Sequence, residues 1–185
     1  MKNVTPEFIR NIFYSGQFGF SSDIEITNKI AFLVNHNYLL LSPVHIASKN
    51  KYLDISSDQA LLNVRSEASG GGNTHHALKL LAEKYLLREY GVKSLFEQPF
   101  AGYIPDVRSA DSHIICECGH TDNAEKIFTY FNHPDVRYVI QIPYPNDEDA
   151  EIIGYEFQAQ PNLHNFLQAE ESEKNQKIKD ILNNR

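Results

Sequence analysis

The chain has 185 residues, of which 42% are hydrophobic and 22% are charged, a composition typical of a globular domain with its own core. Its formal net charge of -7 weighs against a protein that binds nucleic acid mainly through a basic surface, although divalent cations or a partner subunit would offset an acidic total. The N-terminal segment lacks the apolar run of a signal peptide, and no window is long enough to cross a membrane. The only two cysteines stand two positions apart, which is unfavourable for a disulfide. These features predict a cytoplasmic protein without a membrane partner.

Residues 1–65 are predicted to form an N-terminal α+β extension that is part of the core or packed on it. Within it, residues 6–16 predict a short helix. Residues 23–41 are rich in Ile, Leu, Val and Tyr with polar breaks, which favours two short strands. The segment 66–73 contains three consecutive glycines among small polar residues, and it predicts a flexible loop that is the clearest internal boundary.

Residues 74–160 carry the strongest pattern and are predicted to form the core. Thr74 is a suitable N-cap for a helix that runs to residue 90, and Gly91 is a suitable C-terminal stop. The next elements are three strand-like runs, a second helix ended near Pro134 and a β-branched fourth strand, at residues 92–100, 101–109, 112–120, 122–131 and 136–142. The predicted order is helix, three strands, helix, strand. The polar tail, residues 161–185, predicts a solvated C-terminal helix.

Two carboxylates in the core suggest a metal site. Asp106 follows Pro105 where the second strand begins, and Glu117 lies inside the apolar third strand. Side chains alternate along a strand, so Glu117 is predicted to face away from Cys116 and Cys118. A carboxylate inside an apolar strand is costly unless a cation binds it, and Mg²⁺ prefers carboxylate oxygens. Asp106 and Glu117 are therefore predicted to bind metal.

The stretch GYIPDVRSADSHIICECGH, residues 102–120, lies between the two predicted helices and is followed by the fourth strand. In these features it resembles the restriction-endonuclease-like PD-(D/E)XK superfamily. The resemblance implies an α/β fold with an α-β-β-β-α-β core, in which helices flank a central mixed sheet. It also implies a metal-dependent endonuclease that hydrolyses phosphodiester bonds in DNA with Mg²⁺, for which Mn²⁺ substitutes, in restriction, repair or defence. A homodimer or a partner protein subunit is the expected assembly.

The sequence departs from the superfamily pattern at one position. The pattern has Lys two residues after the second acid, and Gly119 stands there. Some members supply this lysine from the following helix, so the resemblance gives Lys126 the catalytic role, with His120 as a second candidate that also suits substrate contact. Superfamily members often carry an acid on the first helix. The candidates for this position are a metal-binding Glu83, then Glu89, and His76 as a non-acidic substitute that suits phosphate contact.

Two alternatives remain open at this point. The absent motif lysine is also what a catalytically inactive member of the same fold would show, serving as a binding or assembly subunit. Separately, two His and two Cys, at positions 113, 116, 118 and 120, have the residue types of a zinc site, although the cysteines are more simply small core residues.

Overall fold

The computed structural model describes residues 3–14, 21–63, 72–121 and 124–183, without the side chains of 21–23 and 177–183. The helices are α1 (Pro6–Tyr14), α2 (Ser21–Asn35), α3 (Lys49–Ser57), α4 (Gln59–Asn63), α5 (Gly72–Tyr90), α6 (Lys126–Asn132) and α7 (Leu163–Asn183). The strands are β1 (Leu39–Ser48), β2 (Ser94–Phe96), β3 (Val107–Ser109), β4 (Ile114–Cys118), β5 (Tyr138–Ile142) and β6 (Glu151–Ala159).

The described strands form one sheet in the order β1-β6-β5-β4-β3-β2. The β4–β5 pair is parallel, and α6 provides the crossover between these two strands, whereas the other neighbours are antiparallel. An α/β fold with a mixed sheet flanked by helices is confirmed. From α5 to β5 the order is helix, three strands, helix and strand, as the sequence predicts.

Each face of the sheet carries a layer of helices. One apolar cluster joins α5, α3 and α4 to the sheet, and includes Cys116 and Cys118 of β4. The other joins α1, α2, α6 and α7 to the opposite face, and includes Ile115. The alternation predicted along β4 is therefore confirmed.

The prediction of two strands in residues 23–41 is wrong for its first part. Residues 21–35 form α2, and the strand begins only at Leu39. Thr27, Ile30 and Ala31 are all buried, a spacing of three and four residues that belongs to a helix face. The alternating apolar and polar residues at positions 23–27 imitate a strand locally, and packing of the helical face decides the outcome.

Other differences concern element boundaries and elements without a predicted counterpart. The α5 helix starts at Gly72, so Thr74 lies inside the helix and the proposed N-cap is wrong. The predicted stop is confirmed: Gly91 has a φ of 66°, and its N–H donates to Leu87 O at 3.1 Å. The predicted loop at 66–73 falls mostly outside the described residues. The sequence patterns did not identify α3, α4 or β6. In the described part of the chain, no helix is long and apolar enough to span a membrane.

Candidate active site

The site forms where β3 separates from β4. These strands pair only through Val107–Cys116 and Arg108–Ile115, whereas β4 continues beside β5 as far as Cys118. Asp106 occupies the opening: its Oδ2 accepts a hydrogen bond from the Cys118 backbone N–H at 2.7 Å, in place of a strand partner. The antiparallel register puts Asp106 in the position opposite Glu117. The two predicted carboxylates are therefore neighbours at this opening.

Helix α5 supplies the other partners of Asp106. His75 Nε2 lies 2.9 Å from Asp106 Oδ1, and the ammonium of Lys79, one turn later, lies 3.6 Å from the same oxygen. Burial by itself raises the pKa of the Asp106 carboxyl, but the contacts with His75, the Cys118 N–H and Lys79 outweigh it and lower the pKa below its usual value. Asp106 is therefore held as a carboxylate.

Helix α6 supplies the partners of Glu117 from the opposite face of the sheet. Lys126 Nζ lies 2.6 Å from Glu117 Oε2, and the Tyr130 hydroxyl donates to Oε1 at 2.6 Å. Burial raises the pKa of the Glu117 carboxyl; Lys126 opposes this rise, and the negative charge of Asp106 adds to it. Negative charge at Glu117 is thus disfavoured by its surroundings.

A third carboxylate reaches the same opening. Lys79 is fully buried, and its Nζ lies 2.6 Å from Glu97 Oε1 as well as 3.6 Å from Asp106 Oδ1. One ammonium group thus bridges two carboxylates. Glu97 directly follows β2 and has a φ of 47°, a left-handed conformation that is uncommon for a non-glycine residue. Lys79 thus joins Glu97 to Asp106 on the α5 face, whereas Lys126 accompanies Glu117 on the α6 face.

The structure also explains why no lysine stands two residues after Glu117. Gly119 has a φ of 78°, and a Cβ added there would lie 2.5 Å from Tyr144 Cε2. The Tyr144 ring therefore occupies the space in which a side chain would begin. The Tyr144 hydroxyl lies 3.2 Å from His75 Nδ1, which extends the contacts of Asp106 to the segment after β5.

Comparison with protein-family models, with curated proteins and with solved structures finds no match for this chain.

The structure brings together three of the predicted site residues, Asp106, Glu117 and Lys126. It does not bring Glu83 to them. Glu83 accepts a hydrogen bond from Ser94 Oγ at 3.5 Å, and it lies eight residues beyond His75, roughly 12 Å along the helix axis. Glu89 is further still along α5 and pairs with Arg88. Helix α5, the first helix of the predicted core, therefore contributes a histidine and a lysine to the opening and not the predicted acid.

The predicted histidine contacts also change. His76 is buried, whereas its neighbour His75 makes the contact with Asp106. His120 is exposed, and its ring stands edge-on to Tyr144 at 5.2 Å between centroids. The sequence analysis did not assign five residues to the opening: His75, Lys79, Glu97, Tyr130 and Tyr144. The available signal was the spacing of His75 and Lys79, which stand one turn apart on α5 and so share one face of the helix.

The four zinc candidates do not converge. Cys116 and Cys118 are buried in the apolar layer beneath α5, and burial raises the pKa of both thiols. His113 contacts Asp111 instead. A thiol held in its neutral form is a poor zinc ligand, so the cysteines are core residues.

Asp106 and Glu117 have the residue type that Mg²⁺ prefers as a ligand, a carboxylate. No group of three or more His, Cys, Asp or Glu is gathered for a metal among the described residues. Mg²⁺ does not require such a group, since it commonly uses one or two carboxylates and completes its shell with water and substrate phosphate. Asp106 and Glu117 supply oxygen donors. Burial is the main cause of the raised pKa of Glu117, and the charge of Asp106 adds to it; a bound divalent cation would oppose both effects.

Proposed function

We propose that the protein is a metal-dependent endonuclease that hydrolyses phosphodiester bonds in DNA. The observation that carries the proposal is the contact between Lys126 Nζ and Glu117 Oε2 at 2.6 Å, with Asp106 in the adjacent strand position. The superfamily pattern requires two carboxylates and one lysine at such an opening. In this proposal Lys126 of α6 takes the part of that lysine, since the Tyr144 ring leaves no room for a side chain at Gly119.

Each side chain has a distinct part in this proposal. Asp106 and Glu117 would hold Mg²⁺, which when bound neutralises phosphate charge and acts as a Lewis acid. Lys126 is placed to stabilise the negative charge that develops on the phosphate in the transition state. His75 and Lys79 hold the Asp106 carboxylate in position, and Tyr130 does the same for Glu117.

The decisive experiment incubates the full-length protein with supercoiled plasmid, linear duplex and single-stranded DNA, in the presence of Mg²⁺, Mn²⁺ or EDTA. We expect cutting with either metal and none with EDTA. Asp106→Asn and Glu117→Gln keep the side-chain shape and should each reduce the rate by about 100-fold or more. Glu171→Gln, at an exposed acid on α7, is the control and should cut at the normal rate.

The role of Lys126 has its own test. Lys126→Met should reduce the cutting rate by about 100-fold, because it removes the charge beside Glu117 and keeps most of the aliphatic chain. Lys84→Met, at an exposed lysine on α5, is the matched control. Equal cutting by the two variants would remove Lys126 from the mechanism and would leave the metal-binding carboxylates to be judged separately.

A catalytically inactive binding or assembly subunit is the second candidate. It is favoured by the lysine ammonium groups that already accompany both carboxylates, Lys79 at Asp106 and Lys126 at Glu117. In such a protein these cations would replace the metal. Folded protein that cuts no substrate with either metal, and whose melting temperature is unchanged by Mg²⁺ and Mn²⁺, would favour this candidate.

A further inference from the structure

A groove lies beside the candidate active site, between α1, the segment after β5 and β6. It encloses about 460 Å³, which is within the range of about 300–1,000 Å³ that is usual for small-ligand pockets. Three aromatic rings line it, those of Phe8, Tyr144 and Tyr155. Tyr144 connects the groove to the candidate active site, because its ring lines the groove and its hydroxyl lies 3.2 Å from Nδ1 of His75, the partner of Asp106.

The polar lining of the groove does not suit phosphate. Among the described residues that line it, none is Lys or Arg. Its two acids have partners: Asp149 Oδ2 accepts from the Asn146 backbone N–H at 2.7 Å, and Glu151 Oε2 lies 2.6 Å from His45 Nε2. The described lining of the groove therefore offers aromatic surface, but no row of basic side chains that would bind a sugar-phosphate backbone.

The aromatic lining is accessible to a ligand. Phe8 is 41% exposed, although it stands edge-on to the Tyr155 ring at 5.7 Å between centroids. Rings that are held by neighbours and remain partly exposed are suitable stacking surfaces for flat ligands. Every nucleobase has a π-face, so aromatic rings bind unpaired bases with little regard to sequence.

We propose that this groove binds the unpaired bases of a single-stranded nucleic acid. The strand's backbone then passes Tyr144 and reaches the Asp106–Glu117 opening. Bases within a duplex are stacked on one another and do not enter such a groove, so single strands are preferred over duplexes. The statement that the bound strand is then cut rests on the proposed function, whereas the binding itself does not.

The test measures the fluorescence anisotropy of a labelled single-stranded DNA, an RNA of the same sequence and the corresponding DNA duplex, with wild-type protein in EDTA so that no strand is cut. We expect tighter binding of a single strand than of the duplex. Phe8→Ala should weaken single-strand binding about tenfold. Phe8→Trp, which retains a ring, should restore it. Phe32→Ala is the matched control, because Phe32 is also 41% exposed but lies on α2, outside the groove lining.

Three results would overturn the proposal: no measurable single-strand binding by the wild type, tighter binding of the duplex, or equal losses in Phe8→Ala and Phe32→Ala. A circular dichroism spectrum of each variant shows that it is folded. The outcome is separate from that of the proposed function. Single-strand binding that depends on Phe8, without metal-dependent cutting, would support the groove proposal and contradict the nuclease proposal. Metal-dependent cutting, with single-strand binding unchanged in Phe8→Ala, would support the nuclease proposal and contradict the groove proposal.

Discussion

Glu117 and Gly119 stand on the same stretch of chain, and each is constrained by a different neighbour. Glu117 is a carboxylate whose charge is disfavoured by burial and is matched by Lys126. Gly119 is the position at which a larger side chain has no room, because the Tyr144 ring stands there. The first constraint makes the free energy of unfolding depend on pH. The second makes it depend on the size of the side chain at position 119.

The steric constraint predicts a difference between two glycines. Gly119→Ala should lower the free energy of unfolding by about 2–4 kcal/mol, since it combines backbone strain at positive φ with a clash against Tyr144. Gly102 has a similar φ of 82° but no atom within 4 Å of an added Cβ, so Gly102→Ala should cost only about 1 kcal/mol. Urea denaturation measures both values. Equal losses would show that Tyr144 imposes no constraint on Gly119.

The raised pKa of Glu117 predicts how stability changes with pH. Burial favours the protonated form in the folded state, so this group's stabilising contribution is complete below the unfolded pKa and is lost as the pH rises through the folded pKa. The free energy of unfolding of the wild type should therefore fall relative to that of Glu117→Gln as the pH rises above about 4.3, the ordinary pKa of a Glu side chain. Urea denaturation of both proteins, at a series of pH values below and above this pH, measures the difference. A difference that is constant, or that changes in the other direction, would contradict the raised pKa.

Helices α5 and α6 each bring two partners to one carboxylate through residues one turn apart. On α5 these are His75 and Lys79, and on α6 they are Lys126 and Tyr130. Residues four positions apart lie on one face of a helix, so the two side chains of each pair reach the same carboxylate. The geometry of the opening thus depends on the position and orientation in which each helix packs on its face of the sheet.

The contact between α6 and β4 predicts the effect of Tyr130→Phe. The change removes the hydroxyl that donates to Glu117 Oε1, and at a pH where Glu117 is charged it should lower the free energy of unfolding by about 1.5–3 kcal/mol, the range for a hydrogen bond to a charged group. In a Glu117→Gln background the same change should cost less, because the acceptor is neutral. A double-mutant cycle in urea measures the coupling. Additive losses would show that the two groups do not interact.

The six-stranded sheet joins the first third of the chain to the predicted core. β1 forms the edge of the sheet and pairs with β6 along nine registered positions. The apolar cluster on the α6 face of the sheet includes buried side chains from residues 1–65, among them Ile9, Ile12, Ile30, Leu33 and Leu39. Residues 1–65 therefore contain an integral part of the core.

This arrangement predicts that residues 74–160 alone do not fold. Each of those five buried side chains contributes about 1.5–3 kcal/mol, which together is comparable with the whole net stability of about 5–15 kcal/mol of a typical domain. The fragment would also expose the edge of β6. Circular dichroism should show an unfolded fragment, whereas the full chain should unfold in one cooperative transition. A folded fragment would establish 74–160 as an independent domain.

Local patterns in the sequence determined the parts of the site that depend on short-range geometry. Alternation along β4 separated Glu117 from the cysteines, and Gly91 marked the end of α5 because only a left-handed residue closes the helix there. The pairing of Asp106 with Glu117 followed from adjacent strands. These are consequences of fixed backbone periods, which a single sequence records directly.

Tertiary structure alone decided the rest. The pattern of residues 23–27 predicted a strand. These residues lie in helix α2 because one face of that helix is buried in the apolar cluster on the α6 face of the sheet. Glu83 has the residue type of a metal ligand, but the position of α5 on the sheet brings His75 and Lys79 to Asp106 instead. Tyr144 excludes a side chain at Gly119 from 25 residues away. Such contacts join residues that are distant in the chain, and only the packing of whole elements determines which of them meet.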